Sequence, residues 1–330
     1  MSAILVTGGA GFIGSHLVDL LLKDNEHVTV LDDFSIGLRE NLADAEKSGR
    51  LRIVQGSVCQ EEAVRSAIEG CDKVYHLAVQ CVRHSLERPR ESHDVNATGT
   101  LIVLEAALQA QVKRFVYCSS SEVYGNTSTG LLNEDRTICQ PVTVYGAAKL
   151  AGELYTEAYL RTYGLPSLVV RPFNAYGPRA YQTGMRAEVL PRFVGRILNG
   201  LPPVIFGDGS NGRDFTYVEE VAAGILAAGA AEGLVGEKLN LAYGRMVTVR
   251  EVAAAALNAL GRNDLSIEYH DERPGDVHQL HADTAKAKDV LGFKPAIDFS
   301  DGVARYVDWV RARYPDVSAL GAGNIKNWVS

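Results

Sequence analysis

AILVTGGAGFIG, residues 3–14, runs from a β-branched apolar stretch straight into glycines at 8, 11 and 14, and on into a helix-patterned segment. The stretch Ala3–Thr7 reads as a buried strand. Gly8 permits the tight turn after it, Gly11 lets a pyrophosphate approach the backbone, and Gly14 lets the helix pack close on the sheet. Phe12 and Ile13 lie in the same turn. A helix starting there presents free N–H groups and the positive end of its dipole to phosphate. A glycine triplet alone marks no more than a turn. Between a strand and a helix, at the start of a βαβ unit, it predicts a phosphate-binding loop.

Beyond this loop the first half of the chain keeps alternating. Short β-branched runs at 27–31, 51–54, 73–76, 114–118 and 167–171 read as strands, separated by helical stretches near 14–24, 60–69, 91–110 and 145–163. Continuous apolar strands alternating with helices predict a parallel sheet covered on both faces. Right-handed crossovers make such an α/β sheet doubly wound. After Pro172, Gly and Pro punctuate more often, and helices are expected near 188–199, 218–231, 248–260 and 300–313. The expected division is residues 1–174 as the sheet domain, with some later segments returning to it, and 175–330 as a smaller α/β lobe.

Composition narrows the function classes. The 330 residues carry 33 Lys+Arg against 40 Asp+Glu, a net charge of −7, with 46% hydrophobic and 22% charged residues. That length buries a core without disulfide or metal staples. A net acidic chain is a poor general binder of nucleic acid or membrane surfaces. The five cysteines, 59, 71, 81, 118 and 139, are odd in number and form no CxxC pair, so reduced thiols and a cytoplasmic location are expected. No basic segment precedes an apolar run at the N-terminus, so no signal peptide is expected. The apolar run 221–231 is shorter than the ~18 residues of a membrane span. His270, His278 and His281 lack a metal-ligand spacing, and no metal is expected.

Three further features carry chemistry. Asp32 closes the second strand, 18 residues after Gly14. A carboxylate there suits adenosine ribose hydroxyls and repels a 2′-phosphate, favouring NAD over NADP. Asp33 beside it could share or take that role. Tyr145 and Lys149, four residues apart, share one helix face. A lysine near a phenol favours the phenolate and makes Tyr145 a general base for a hydroxyl. Ser119-Ser120-Ser121 ends the fifth strand, and ligands bind at the carboxyl ends of parallel strands.

Together these features resemble the extended short-chain dehydrogenase/reductase family, with a Rossmann sheet, and within it the nucleotide-sugar epimerase/dehydratase branch. The resemblance runs nearly end to end. It rests on TGGAGFIG (7–14), LDDFSIG (31–37), HLA (76–78), Asn96 with Gly99-Thr100, SSSEVYG (119–125), YGAAK (145–149), RPFNAYGPR (171–179), GDGSNGRDFTYVEEV (207–221) and RPGD (273–276). It implies that Tyr145 is the base and that Lys149 binds the nicotinamide ribose and tunes it. Ser120 hydrogen-bonds the sugar 4-hydroxyl, with Ser121 and Glu122 beside it in the catalytic group. Ser35, Gly37, Leu77, Ala78, Asn96 and Ser119 line the cofactor, and Phe173 lies near the nicotinamide. Asn174, Arg213 and Arg273 hold a nucleoside diphosphate, and Asp276 takes its ribose. Val189 and the rest of 189–193, with Ile205 and Phe206, frame the base.

Departures from the family pattern sharpen the expectations. Gly56 is followed by Ser57 and Val58, where family members often carry an Asp that contacts adenine; Ser57 still offers a hydroxyl and a backbone group. HLAVQCVRHS (76–85) has no lysine near the nicotinamide pyrophosphate, which leaves Arg83 as a replacement or a substrate contact. Arg192 faces either the sugar and its acidic substituent or solvent.

Family dehydratases carry an Asp where this chain has Ser121, which disfavours elimination of water. Decarboxylases of UDP-glucuronate resemble the chain at Glu122, but carry Arg where Glu188 stands. The expected activity is NAD-dependent 4-epimerisation of a UDP-hexose or UDP-hexuronate. Decarboxylation and 4,6-dehydration are the alternatives. A non-catalytic NAD-binding regulator is a distant one, since it needs none of Tyr145, Lys149 and Ser120. Helices near 97–110 and 147–162 carry Leu101, Leu104, Leu108, Leu150 and Leu154 beyond one core face, so a homodimer is expected.

Overall fold

The computed structural model describes residues 3–126, 130–272 and 279–320. Its strands are β1 (Ala3–Thr7), β2 (His27–Asp32), β3 (Leu51–Gln55), β4 (Cys71–His76), β5 (Arg114–Cys118), β6 (Ser167–Pro172), β7 (Asn174–Tyr176), β8 (Val204–Phe206), β9 (Gly212–Tyr217), β10 (Lys238–Leu241), β11 (Met246–Thr248), β12 (Glu268–His270) and β13 (Gln279–Leu280). The helices are α1 (Phe12–Lys23), α2 (Ala43–Glu46), α3 (Glu61–Ile68), α4 (Val82–Glu87), α5 (Pro89–His93), α6 (Gly99–Gln109), α7 (Val144–Tyr163), α8 (Val189–Leu198), α9 (Val218–Ala230), α10 (Val249–Leu260), α11 (Ala285–Leu291) and α12 (Phe299–Arg313).

The central sheet is parallel, in the order β10-β6-β5-β4-β1-β2-β3. All six strands read from sequence are present. Period-2 alternation sends their side chains to two cores. Ile4, Val6, Tyr75 and Val116 pack with α1 and α9 on one face, while Leu5, Val74, Phe115 and Tyr117 pack with α3 and α6 on the other. The strand order reverses between β1 and β4, which opens a crevice at their carboxyl ends.

The seventh strand, β10, adds to the six read from sequence; KLNL is short and carries a polar Asn, so it gives no strand signal of its own. It is held because Leu239 and Leu241 are buried and its backbone pairs with β6. Helix α9 also comes from the second half of the chain and packs on α1 in the sheet's core. Gly229 lets α9 seat on the sheet: a Cβ there would meet the hydroxyl of Tyr75 on β4 at 2.2 Å.

Remaining segments of the second half build a separate core. Phe193, Phe215, Phe299 and Tyr306, from α8, β9 and α12, meet there with Tyr176 of β7. The helix expected over 91–110 is divided by a π-helical turn at Asp94–Thr98. Such turns widen a helix and recur at functional positions. Leu104, placed by its spacing beyond the core face of that helix, points instead into the core and is fully buried. Leu101 and Leu108 stay partly exposed, and Leu154 on α7 is 56% exposed.

Candidate active site

A cleft follows the carboxyl ends of β1, β2 and β4. Gly8, Gly11, Asp32, Asp33, Ser35, Gly37, Ser57, Val58 and Ala78 line it, together with Gly56, Gln80 and Tyr181. Gly8 turns with φ +69°, and a Cβ on it would meet the Ala78 backbone at 2.8 Å. A Cβ on Gly14 would lie 2.2 Å from the Gly8 carbonyl oxygen, so the helix seats on the turn only because Gly14 has none.

Asp32 and Asp33 have different surroundings. Asp32 is buried at the cleft wall and accepts the N–H groups of Ala10 and Phe34, each at 2.9 Å. Burial pushes its carboxyl above the ordinary range, and those two N–H groups oppose the shift. Asp33 accepts the Ser35 N–H and hydroxyl at 2.9 and 2.6 Å, and thereby shapes the loop. Asn96, in the π turn, is fully buried and clips Gln80 by exchanging bonds with its backbone N–H and C=O, both at 2.9 Å. The Leu77 N–H bonds the Thr7 carbonyl at 3.1 Å, and the Ala78 N–H bonds the Thr7 hydroxyl at 3.2 Å. His76 behind them bonds Thr7 and Thr100 at 2.6 and 3.0 Å. Burial lowers its imidazole to about 3, so it is neutral there.

A second cavity adjoins, at the carboxyl ends of β5 and β6. Phe12 and Ile13 line it, with Ser119, Ser120, Ser121, Glu122, Tyr145, Lys149, Phe173, Asn174, Arg83, Glu188 and Arg213. Thr143 caps α7 by accepting the Gly146 N–H at 3.0 Å, which places Tyr145 in the first turn and Lys149 one turn further. Tyr145 and Ser120 face the same cavity. Burial pushes the Tyr145 phenol above its ordinary value, and the neighbouring Ser120 hydroxyl opposes that shift. Lys149 is 2% exposed, and burial lowers its ammonium to about 8. Its Nζ stands 4.6 Å from the Tyr117 ring centroid. The spacing of Tyr145 and Lys149 thus brings a phenol, a hydroxyl and a cation into one cavity, suited to moving a proton from a substrate hydroxyl.

Other expected residues are placed less directly. Val189 lines a smaller cavity with Phe12, Asn174 and Tyr181. Ile205 is buried in the second core, and the Phe206 ring packs tilted against His270 with centroids 5.7 Å apart. The Arg192 guanidinium binds the carbonyls of Ala187 and Gly184 at 2.9 and 3.0 Å, bracing that turn. Arg273 and Asp276 lie outside the described residues. Among the described residues, no group of three or more His, Cys, Asp or Glu is placed to hold a metal.

Gln80 and Tyr181 carried no sequence signal. Gln80 Oε1 in the cleft and Asn174 Oδ1 in the adjoining cavity are buried and find no partner among the described residues. A polar ligand spanning both would satisfy them. The Tyr181 phenol lies over the start of α1, its hydroxyl 3.8 Å from where a Cβ on Gly11 would sit, on the helix end that the glycine pattern assigns to phosphate. With the Gly8–Gly11 cradle and the Asp32 carboxylate, the cleft fits a dinucleotide.

Behind the cavity lies a buried polar network. Glu153, one turn beyond Lys149, takes Arg171 in a bidentate pair at 2.9 and 2.6 Å and accepts the Ser119 hydroxyl at 2.5 Å. Arg171 donates to the Tyr124 hydroxyl at 2.8 Å, which donates to Asn240 of β10 at 2.8 Å.

A doubly wound sheet whose crevice leads to a Ser–Tyr–Lys cluster defines an extended short-chain dehydrogenase/reductase. The family described as GDP-mannose 4,6 dehydratase matches residues 5–306. The chain belongs to that family, in the epimerase/dehydratase branch. It is 37% identical over 310 residues to a UDP-glucose 4-epimerase of Mycolicibacterium smegmatis, covering 93% of this chain and 98% of that one. It is 36% identical over 320 residues to a dTDP-glucose 4,6-dehydratase of Actinoplanes sp., covering 94% and 98%. A UDP-glucuronic acid 4-epimerase from Bacillus cereus, solved with UDP-glucuronic acid and NAD, superposes with a TM-score of 0.88 at 30% identity, covering 94% of this chain and 100% of that one.

Glu153→Gln would leave the Arg171 charge buried without its counter-ion. The expected cost is about 3–5 kcal/mol, read from the urea unfolding midpoint. A cost within experimental error of zero would show that the pair does not hold the site's framework together.

Proposed function

We propose that the protein is an NAD-dependent nucleotide-sugar 4-epimerase acting on a UDP-hexose or UDP-hexuronate through a 4-keto sugar. The observation that carries this reading is the Ser120–Tyr145–Lys149 cluster in a cavity with Ser121, not an acid, beside it. Gly8, Gly11 and Asp32 would hold NAD in the cleft, with Gln80 and Asn96 at its wall, and the bound cofactor would supply reversible hydride acceptance. Tyr145 removes the 4-hydroxyl proton and later returns it, while Ser120 orients that hydroxyl. Lys149 stabilises the phenolate by its charge. Arg213 and Asn174 hold the diphosphate, and Arg213 offsets its charge in an acidic protein.

Elimination of water needs an acid at the reacting carbon, and Ser121 supplies none. Glu122, which lines the cavity, is the feature that favours decarboxylation as a second reading. Product analysis on the NAD-loaded protein separates them: a C4-inverted UDP-sugar supports epimerisation, and a UDP-pentose with released CO₂ overturns it. In that assay Tyr145→Phe is expected to lose at least ~10²-fold in turnover while binding the nucleotide sugar normally. Turnover near wild type would remove the proposed base.

The buried Asp32 carboxylate is also expected to disfavour a 2′-phosphate. Direct titration should give weaker binding of NADP than of NAD, and equal affinities would count against that placement. The outer surfaces of α6 and α7, with Leu154 exposed, are proposed as a two-fold dimer contact. Light scattering at micromolar concentration should report a dimer; a monomer speaks against it. The five free cysteines suit a reducing compartment, the cytoplasm.

A further inference from the structure

The two walls of the second cavity are joined by one ion pair. Arg83 on α4 reaches Glu188, the residue capping α8, with Nη2 to Oε2 at 3.2 Å. Its Nη1 donates to the Ala187 carbonyl at 2.8 Å. Both residues line the cavity that holds Ser120 and Tyr145. Arg83 is 17% exposed and Glu188 57%.

The Glu188 side chain makes no bond to the first turn of its helix and is turned to Arg83. The result is a cation already committed to an anion and a carbonyl. In the cavity wall shared with Ser120 and Tyr145, the two charges offset each other. Arg213 lines the same cavity and is the cation assigned above to the diphosphate.

A neutral sugar and an anionic one meet this wall differently. Hydroxyl groups donate to the exposed Glu188 carboxylate, and ring or hydroxyl oxygens accept from Arg83, without breaking the pair. A sugar carboxylate gains from Arg83 only by displacing Glu188. The displaced Glu188 then remains beside it as a like charge. Resting on the 4-epimerase reading above, we propose that the Arg83–Glu188 pair makes this site selective for a neutral hexose over a hexuronate. Glu188 is the excluding element, and Arg83 is the cation it neutralises.

The test compares UDP-glucose with UDP-glucuronate on the NAD-loaded wild type, Glu188→Gln and Arg83→Gln. Both kcat/KM and calorimetric Kd are measured. Wild type should favour UDP-glucose by at least ~10-fold. Glu188→Gln removes the anion beside Arg83 and should move the ratio toward the uronate by at least ~10-fold. Arg83→Gln leaves Glu188 without its partner and should move it the other way. Glu188 is half exposed, so its variant should fold, and an unchanged melting temperature checks that.

If the pair only braces the mouth of the cavity, both substrates change together and the ratio stays within about twofold; that overturns the proposal. A wild-type preference for the uronate overturns it too. Should neither sugar be converted, the epimerase reading falls, while the Kd ratios still decide selectivity. Failure to bind either sugar ends both.

Discussion

Glu153 and Arg171 meet inside the protein at 0% and 1% exposure, and the site is built around them. A bidentate guanidinium–carboxylate pair has one geometry, so it fixes the rotation of α7 against β6. Lys149 lies one turn before Glu153 on α7, and Tyr145 one turn before that. Their direction follows from the same anchor. Ser119 bonds the same carboxylate, which ties down the end of β5 where Ser120 begins. Burying two charges is costly, and such a pair contributes to stability only when its remaining hydrogen-bonding groups are satisfied. Here Ser119 and Tyr124 do that, and Tyr124 extends the network to β10.

Electrostatics in the site follow from this burial. Lys149 is held where its ammonium falls to about 8, within reach of the partial negative face of Tyr117. His76, close by, is kept neutral and bonded on both ring nitrogens, so it adds no second cation beside Lys149. Around the adjoining cavity the charged groups are Arg213, Glu122 and the Arg83–Glu188 pair.

Residues that act through local chemistry could be read from sequence. The glycines at 8, 11 and 14 have steric roles that spacing alone conveys, and the close backbone approaches at Gly8 and Gly14 are the ones expected. Tyr145 and Lys149 share a helix face because helical periodicity demands it. Features set by distant packing could not be read in this way. β10 is a strand because β6 offers it an edge. Leu104 faces inward because α6 packs Val103, Leu104 and Ala107 against α3 and the sheet. Tyr181 sits in an irregular loop, and nothing near it in sequence points to Phe12. Gln80 gains meaning only from Asn96, which clips its backbone. Arg83 and Glu188 were each singled out, but their pairing required the fold.

The place of β10 also dictates an order of events at the ribosome. Its sheet neighbour β6 is complete by residue 172, yet the edge it exposes stays open until the chain has been made as far as residue 241. Asn240, the last member of the network that begins at Ser119, arrives with it. A nascent chain halted after Tyr176 therefore has every residue of the Ser–Tyr–Lys cluster but an unpaired strand beside it. Open edges of this kind recruit other strands. Synthesis of the second half thus shields the first from wrong pairing.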